Sequence, residues 1–372
     1  MWPTPWPDEA HFADISLTLL TEGRLATDLF RFSFPALQEH AYWTPPLYYL
    51  ALAVWFIVGA SLWWQRTFSA VCAVFALAAI WRLSTEEENH RAMFAVAFLC
   101  VDVAFVRSAL MGRMDMLCLA LGLWSVVLAR GSRPGGAGLL AGLAVCTHPM
   151  GLAAAFGAFL WSPTVRFVGW SLLPISLWFV WVVTGDPGAF LEQWSLQMER
   201  KADNRLMDVW WRFLIQYRPM LAVPVFLWAC GTVGCWKSRD FRWLAWFSAT
   251  LILAFLGGEI WYPLYLTPIV VMAVRMRDRF SDLALIIAGF LSLTSILNQI
   301  YHTPKGDPLP EEIGPGAIVE IRYIPDQYWE IKARGAKPVY PSPFSEIETP
   351  SRAAQPRADA ILEHADAPSG ER

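Results

Sequence analysis

Hydrophobic residues dominate the chain between about residue 45 and residue 300, and short polar breaks divide this stretch into apolar segments. Runs of this length and composition are typical of helices that cross or lie in a lipid bilayer. We therefore predict helical segments at about 67–83, 92–110, 114–129, 167–184, 219–236, 243–257, 262–275 and 282–300.

Two apolar stretches allow more than one interpretation. Residues 45–64 open with Pro45 and Pro46, which suit the first turn of a helix, and form either a span or an interfacial helix. Residues 136–161 are interrupted by Thr147-His148-Pro149, so they form either one kinked span or two short helices meeting at the break.

The first 44 residues are more polar and begin with an acidic pair, Asp8 and Glu9. Residues 8–24 place apolar and polar side chains on opposite faces of a helix, which predicts a short amphipathic helix at the membrane interface, ended by Gly23. The residues after Met1 form no secretory signal. We expect either a first span missing upstream or a topology set by the later spans.

Outside the apolar region the chain changes character twice. Residues 185–218 are charged and rich in tryptophan, which predicts a pair of interfacial helices in a long loop. Residues 301–344 form a small polar segment in which 317–323 alternate like a strand. Residues 345–372 are rich in Pro, Ala, Ser and charge, which is typical of a disordered tail.

Composition supports an all-α polytopic membrane protein with interfacial helices and a short mixed soluble tail. The 372 residues are 56% hydrophobic and include 21 tryptophans. A net charge of -3 provides no basic field for nucleic acid, so none is expected as a partner. The six cysteines lie in apolar segments and are interpreted as small buried hydrophobes.

Arginine and lysine predict which end of the helices faces the cytoplasm. If 45–64 is interfacial and 136–161 is a helix pair, the tight basic turns share one side, which is cytoplasmic. The acidic pair, the segment 107–115, His148, the 185–218 loop, the segment 257–263 and the tail then share the outer face. The basic turns contain Arg82, Arg91, Arg130, Arg133, Arg166, Lys237, Arg239, Arg242, Arg275, Arg277 and Arg279.

Several polar side chains in this arrangement have both a plain and a functional interpretation. Asp8 and Glu9 are either favoured by the helix dipole or part of a site. Arg113 and Asp115 form a local ion pair or line a cavity, and Arg107 either snorkels or binds substrate. Asp102, in mid-segment, is a functional carboxylate or a packing partner. The aromatic residues Trp261, Tyr262 and Tyr265 resemble an interfacial belt.

The order of the motifs resembles a known family of enzymes. The motifs are Asp8-Glu9-Ala10-His11-Phe12, Thr44-Pro45-Pro46-Leu47-Tyr48-Tyr49, Phe56 to Gly59 with Arg66, Arg107 to Asp115, Gly142 to Thr147-His148, and Trp261-Tyr262-Pro263 to Pro268. Over about residues 7–300 they are similar to glycosyltransferases of the C-type fold that use lipid-phosphate sugars. The relevant branch contains protein O-mannosyltransferases and aminoarabinose transferases.

This resemblance implies a fold, an activity and a site. The fold would be the C-type glycosyltransferase fold in a bacterial inner or plasma membrane, with an extracytoplasmic active site. The enzyme would move a sugar from polyprenyl phosphate to a hydroxyl acceptor (glycan, lipid or protein), with inversion. Asp8 and Glu9 would be catalytic, with Asp8 as general base. The residues that would bind donor phosphate or substrate are Arg107, Arg113, Asp115, His148, Tyr48 and Tyr262.

The chain departs from the family pattern at two positions, because His148 stands where a lysine is usual and Trp261 where an arginine is common. No cofactor is implied with certainty, although Asp8, Glu9 and His11 could hold one divalent metal ion. Two other functions stay open. The chain could be a transporter with Asp102, Arg113 and His148 along its path, or a catalytically silent relative that binds lipid.

Overall fold

The computed structural model describes residues 7–30, 34–85, 89–202, 227–229, 231–233, 235–236, 239–257, 262–274, 279–301, 315, 318–320, 326–339 and 361–362. Helices provide nearly all the regular structure of these residues, as the sequence predicts, and the strands have only two or three residues each. Most of the predicted span 219–236, the second half of the 185–218 loop and Trp261 lie outside the described residues.

The N-terminal helix α1 spans Pro7–Glu22 and stops where Gly23 adopts a positive φ of 72°. Glycine takes this left-handed conformation without steric cost, so the predicted helix and its glycine stop are confirmed. The predicted separation of polar and apolar faces is wrong, because Asp14 and Ser16 are buried whereas Leu20 is exposed. A 3₁₀ turn at Pro35–Gln38 interrupts the loop that follows.

The stretch 45–64 does not form a single span. Helix α2 is Leu47–Phe56, ten residues or about 15 Å, which is half the thickness of a bilayer core. The next helix, α3, is Leu62–Ser84. It starts five residues before the predicted position because the Ser61 hydroxyl accepts a hydrogen bond from the Trp64 N–H and caps it.

The predicted segment 92–110 is broken into α4, Asn89–Leu99, and α5, Val103–Ala109, at an angle of 64°. Asp102 lies at the break and caps α5, since its carboxylate accepts the Phe105 N–H at 2.9 Å. The hydroxyl of Ser292 also donates to it at 3.4 Å. The structure therefore gives Asp102 a capping role, which agrees with the packing interpretation of this carboxylate.

Residues 136–161 form two helices, and the single kinked span is wrong. Helix α6 is Asp115–Arg130. Helix α7, Pro134–Val145, ends before the Thr147-His148-Pro149 break, and helix α8, Gly151–Trp161, begins after it. Proline has no N–H for a helical hydrogen bond, which favours a stop here. Helix α9 is Val165–Thr184.

The later segments are α10, Pro187–Ala202, and α11, Phe241–Gly257. The predicted helix 262–275 is wrong as a continuous element. It consists of a 3₁₀ turn, Tyr262–Leu266, and the six-residue helix α12, Ile269–Val274, separated at Thr267 and Pro268. Helix α13 then covers Arg279–Tyr301.

The tail contains a small mixed unit. Strand β1, Ile318–Glu320, pairs in parallel with β2, Lys337–Val339, across helix α14, Asp326–Ala333. Strand β3, Ile361–Leu362, pairs antiparallel with the other edge of β1. The strand expected at 317–323 is thus confirmed in its middle, whereas a two-residue strand lies in the tail that was predicted to be disordered.

Two described helices, Leu62–Ser84 and Val165–Thr184, are long and apolar enough to cross a membrane. The bent pair Arg91–Leu99 and Val103–Ala109 makes a third if it counts as one span. Helix α9 buries few of its side chains, and Leu177, Phe179 and Val180 are more than half exposed. Such a face is unfavourable in water and fits contact with lipid.

Cys72, Cys118, Cys146 and Cys235 are buried and free, as the interpretation of small buried hydrophobes requires. Cys100 is exposed in the bend before α5, so that interpretation is wrong for this residue. Cys230 lies outside the described residues.

Arginines of several described helices lie near one end of the helices, which we call the arginine end, whereas Arg66 and Arg107 lie toward the other end. Helix α6 begins at Asp115 and finishes at Arg130, whose guanidinium lies 5.1 Å from the ring centre of Trp243. The guanidinium of Arg242 lies 5.6 Å from the Trp161 ring. Arg91 donates to the Val274 carbonyl at 3.0 Å. This grouping is the one on which the predicted topology depends.

Helices α7 and α9 pack backbone against backbone at two glycines of α7. A Cβ at Gly138 would lie 2.1 Å from the Phe167 carbonyl oxygen, and one at Gly142 would lie 2.2 Å from that of Ser171. Backbone oxygens cannot move aside without shifting a helix, so only glycine fits at these positions.

We expect Gly138→Ala to lower the free energy of unfolding by about 1–3 kcal/mol, because the added methyl forces α7 away from α9. Gly169→Ala on α9 is the matched control, since its Cβ would meet nothing within 4 Å. Thermal unfolding in one detergent compares the two variants. Equal unfolding midpoints for the two variants would show that α7 and α9 are further apart than the structure indicates.

Candidate functional site

Glu9, in the first turn of α1, is a buried carboxylate that is about 1% exposed. Arg66 holds it through two parallel hydrogen bonds, from Nε to Oε1 and from Nη2 to Oε2, each 2.9 Å long. The Gly112 N–H donates to the same Oε1 at 2.7 Å. This bidentate geometry is the strongest arrangement for an arginine and a carboxylate, and it ties α1 to α3.

Gln65 completes the join between α1, α3 and the turn before α6. Its side-chain amide donates to the backbone carbonyls of Glu9 and Gly112, each at 2.8 Å. A Cβ at Gly112 would lie 2.4 Å from the Gln65 side chain, so this turn position also requires glycine. These hydrogen bonds fix the backbone position of Gly112 and therefore that of the next residue, Arg113.

Arg113 lies between two carboxylates. Its Nη1 forms an ion pair with Asp8, and its Nε donates to Asp115 at 3.0 Å. Arg113 and Asp115 are buried, whereas a quarter of the Asp8 side chain is exposed. Of the two carboxylates predicted to be catalytic, Asp8 is thus the one that an approaching molecule can reach, and Glu9 is enclosed by its hydrogen bonds.

The network continues from Asp115 to an aromatic group. The hydroxyl of Tyr265 donates to the second oxygen of Asp115 at 3.0 Å. The imidazole of His148 stacks on the Tyr265 ring with centroids 5.6 Å apart and meets the edge of Tyr262 at 5.5 Å. Asp8, Arg113, Asp115, Tyr265, His148 and Tyr262 therefore form one continuous chain of contacts.

The protonation of His148 is constrained by the backbone. The Met150 N–H donates to its Nδ1 at 3.0 Å. Because a backbone N–H can only donate, this nitrogen must carry a lone pair, and the proton of the neutral ring is on Nε2. In this geometry His148 offers a hydrogen-bond donor without a full positive charge.

The remaining two predicted residues lie at the margin of this network. Tyr48 is buried, with its ring 5.3 Å from that of Phe12, and the Arg113 guanidinium lies 5.9 Å from the same Phe12 ring. Arg107 is half-buried in the last turn of α5, shortly before the Gly112 turn. Tyr48 thus supports the network through Phe12.

Among the described residues, no three His, Cys, Asp or Glu side chains gather as a metal site requires. Asp8 and Glu9 face different arginines, and His11 lies among aromatic rings. The three residues proposed from the sequence as a possible ion site are therefore not brought together in the described structure.

His11 is a buried histidine for which neither ring nitrogen has a hydrogen-bond partner. Its ring lies 5.3 Å from Phe30 and 6.4 Å from Tyr49. Burial in these surroundings lowers the pKa of His11 from 6.5 to about 4, against the opposing attraction of Asp14 on the next turn of α1.

This shift predicts how stability depends on pH. The folded protein binds fewer protons than the unfolded chain between about pH 6.5 and pH 4, so stability is complete above that window and falls as the pH decreases through it. We expect a loss of at most about 3 kcal/mol from this group. Unfolding curves of wild type and His11→Phe measure it, and identical pH profiles would contradict the assignment.

Three members of the network are not predicted as site residues from the sequence. Tyr265 is interpreted as part of an aromatic belt and Gln65 carries no prediction, whereas Arg66 belongs to a motif of the family resemblance but is given no role. One signal could have pointed to Gln65 and Arg66. An amide and a charged side chain are adjacent at the start of a helix, on the same side of the molecule as the acidic pair. No protein-family model, curated protein or solved structure matches this chain.

Proposed function

We propose that the chain is a membrane glycosyltransferase that moves a sugar from a polyprenyl-phosphate donor to a hydroxyl acceptor on the extracytoplasmic side. The observation that carries this proposal is the partly exposed Asp8, paired with a buried Arg113 in a network that is otherwise enclosed. The motif resemblance supplies the reaction, and the side-chain geometry supplies the roles.

Asp8 is the general base in this proposal. The acceptor hydroxyl gives its proton to Asp8 while its oxygen attacks the anomeric carbon of the sugar. The bond from that carbon to the phosphate oxygen breaks, and the lipid monophosphate leaves as a stable anion. One displacement of this kind inverts the anomeric centre. Glu9 does not touch substrate and instead positions α1 through Arg66.

Arg113 couples proton transfer to Asp8 with departure of the lipid phosphate. Before the reaction its charge is shared by Asp8 and Asp115. When Asp8 takes the proton it becomes neutral, so more of the guanidinium charge is available to the departing phosphate. His148, with its proton on Nε2, adds a neutral hydrogen-bond donor, and Arg107 is the further cation assigned to the phosphate.

The orientation of the site is part of the proposal. The network lies at the N-terminal ends of α3 and α6, whereas Arg82 and Arg130 lie in the last turns of the same helices. Fifteen residues of α-helix separate the ends of α6 by about 22 Å. With the arginine end in the cytoplasm, Asp8 faces the outside.

The test uses the full chain in liposomes with a radiolabelled polyprenyl-phosphate sugar and an envelope extract as acceptor. Movement of label from the organic-soluble donor to the acceptor supports the transferase. Flux of donor between leaflets without transfer would instead support a transporter. Donor binding with neither activity would leave a silent lipid-binding relative. Asp102, one of the residues named for a translocation path, caps α5.

A further inference from the structure

The tail helix α14 is packed into the N-terminal part of the molecule. Tyr328 and Ile331 have no exposed surface and join the same hydrophobic cluster as Phe12 and Ile15 of α1. The neighbouring Trp329 meets the Phe56 ring edge-on at 5.8 Å. A segment more than 300 residues away in sequence thus covers the helix that carries the acidic pair.

The polar side chains of α14 contact a buried carboxylate of α1, that of Asp14. Asp14 Oδ1 accepts a hydrogen bond from the Tyr328 hydroxyl at 2.8 Å and lies 2.9 Å from the Lys332 ammonium. Its Oδ2 accepts the Thr27 hydroxyl at 2.7 Å. Asp14 is 3% exposed, so these partners replace water that the carboxylate would otherwise bind.

Asp14 and Glu9 hold α1 at two points. Glu9 is hydrogen-bonded to Arg66 of α3. Asp14 lies about 7 Å further along the helix axis and is hydrogen-bonded to Tyr328 of α14. A helix held at one point can still pivot, whereas two attachments fix its direction. That direction decides where Asp8, in the first turn of the same helix, meets Arg113.

We infer that Tyr328, Lys332 and Asp14 are positioning residues through which the tail helix holds α1 and sets the place of Asp8. The consequence for sugar transfer depends on the proposed function, whereas the ordering of α1 by α14 does not. The two parts can therefore be measured separately.

The first measurement is hydrogen–deuterium exchange of residues 8–22 in the full chain in nanodiscs. Tyr328→Phe removes one hydroxyl and keeps the buried ring, and Lys332→Gln removes the cation. We expect Tyr328→Phe to speed exchange in α1 by about tenfold, the effect of losing a buried charge-assisted hydrogen bond, and Lys332→Gln to speed it less, because 40% of the Lys332 side chain is exposed. Arg334→Gln is the matched control, because Arg334 pairs with Glu330 on α14 itself.

The second measurement is steady-state transfer, normalised to folded protein. Tyr328→Phe and Lys332→Gln should lower kcat several-fold with an unchanged KM for the donor, and Lys332→Arg should restore kcat. Unchanged exchange in α1 overturns the inference whatever the activity. Faster exchange with wild-type kcat overturns the positioning role. If the wild type transfers no sugar, the proposed function fails, while the exchange data still decide whether α14 orders α1.

Discussion

Replacing Asp8 by Asn should lower kcat for sugar transfer by about 100- to 10,000-fold, the range found when a general base is removed. Asparagine has nearly the shape of aspartate but cannot take the proton of the acceptor hydroxyl. Asp8 is a quarter exposed, so water can solvate the substituted side chain, and Arg113 keeps its hydrogen bond to Asp115. We therefore expect little change in stability and a donor KM close to that of the wild type.

Asp28→Asn is the matched control for this substitution. Asp28 is an exposed carboxylate in the segment after α1, and the variant should transfer sugar at the wild-type rate. Both variants are assayed in liposomes with the same donor, and their unfolding midpoints are measured alongside. A folded Asp8→Asn protein with wild-type kcat would remove Asp8 from the reaction and leave the site without a base.

The second large effect concerns stability. Glu9→Gln should lower the free energy of unfolding by about 3–5 kcal/mol, because it removes the buried carboxylate charge that is paired with the Arg66 guanidinium through two hydrogen bonds. The loss of function in this variant would follow from the loss of the fold. The assignment of Glu9 as a positioning residue therefore predicts that activity per folded molecule falls far less than in Asp8→Asn.

Glu22→Gln on the same helix provides the comparison. Glu22 pairs with Arg24, but both side chains are about half exposed, and such pairs contribute about 0–1 kcal/mol. Denaturant unfolding in detergent should separate the two Glu→Gln variants by several kcal/mol. If they unfold alike, the Glu9–Arg66 pair is more hydrated than its 1% and 6% side-chain exposures indicate.

The pair of acidic neighbours thus divides into two roles that adjacent positions in a sequence cannot distinguish. On a helix, successive side chains point about 100° apart, so Asp8 and Glu9 necessarily face different surroundings. The sequence placed both in one catalytic group. The structure sends Glu9 inward to Arg66 and leaves Asp8 at the edge beside Arg113.

Much of the helical pattern could be predicted because its causes are local. Helical hydrogen bonds join residues four apart, so an apolar run bounded by glycine, proline or a cap indicates a helix by itself. Gly23 after α1 and the break before Pro149 are examples. The continuous helix predicted at 262–275 is wrong because Pro268 lacks the N–H that a helix needs there, and the apolar run on either side does not supply it.

The sequence by itself determined that this chain is helical and rich in apolar segments, and it indicated Asp8, Arg113, Asp115 and His148 as neighbours on one side. Only the tertiary structure decided that Arg66 holds Glu9, that Tyr265 joins Asp115 to His148, and that Tyr328 reaches Asp14 from the tail. The reason is physical. Each of these contacts is made by segments far apart in the chain, and their partners are selected by how the helices pack, which no local pattern records.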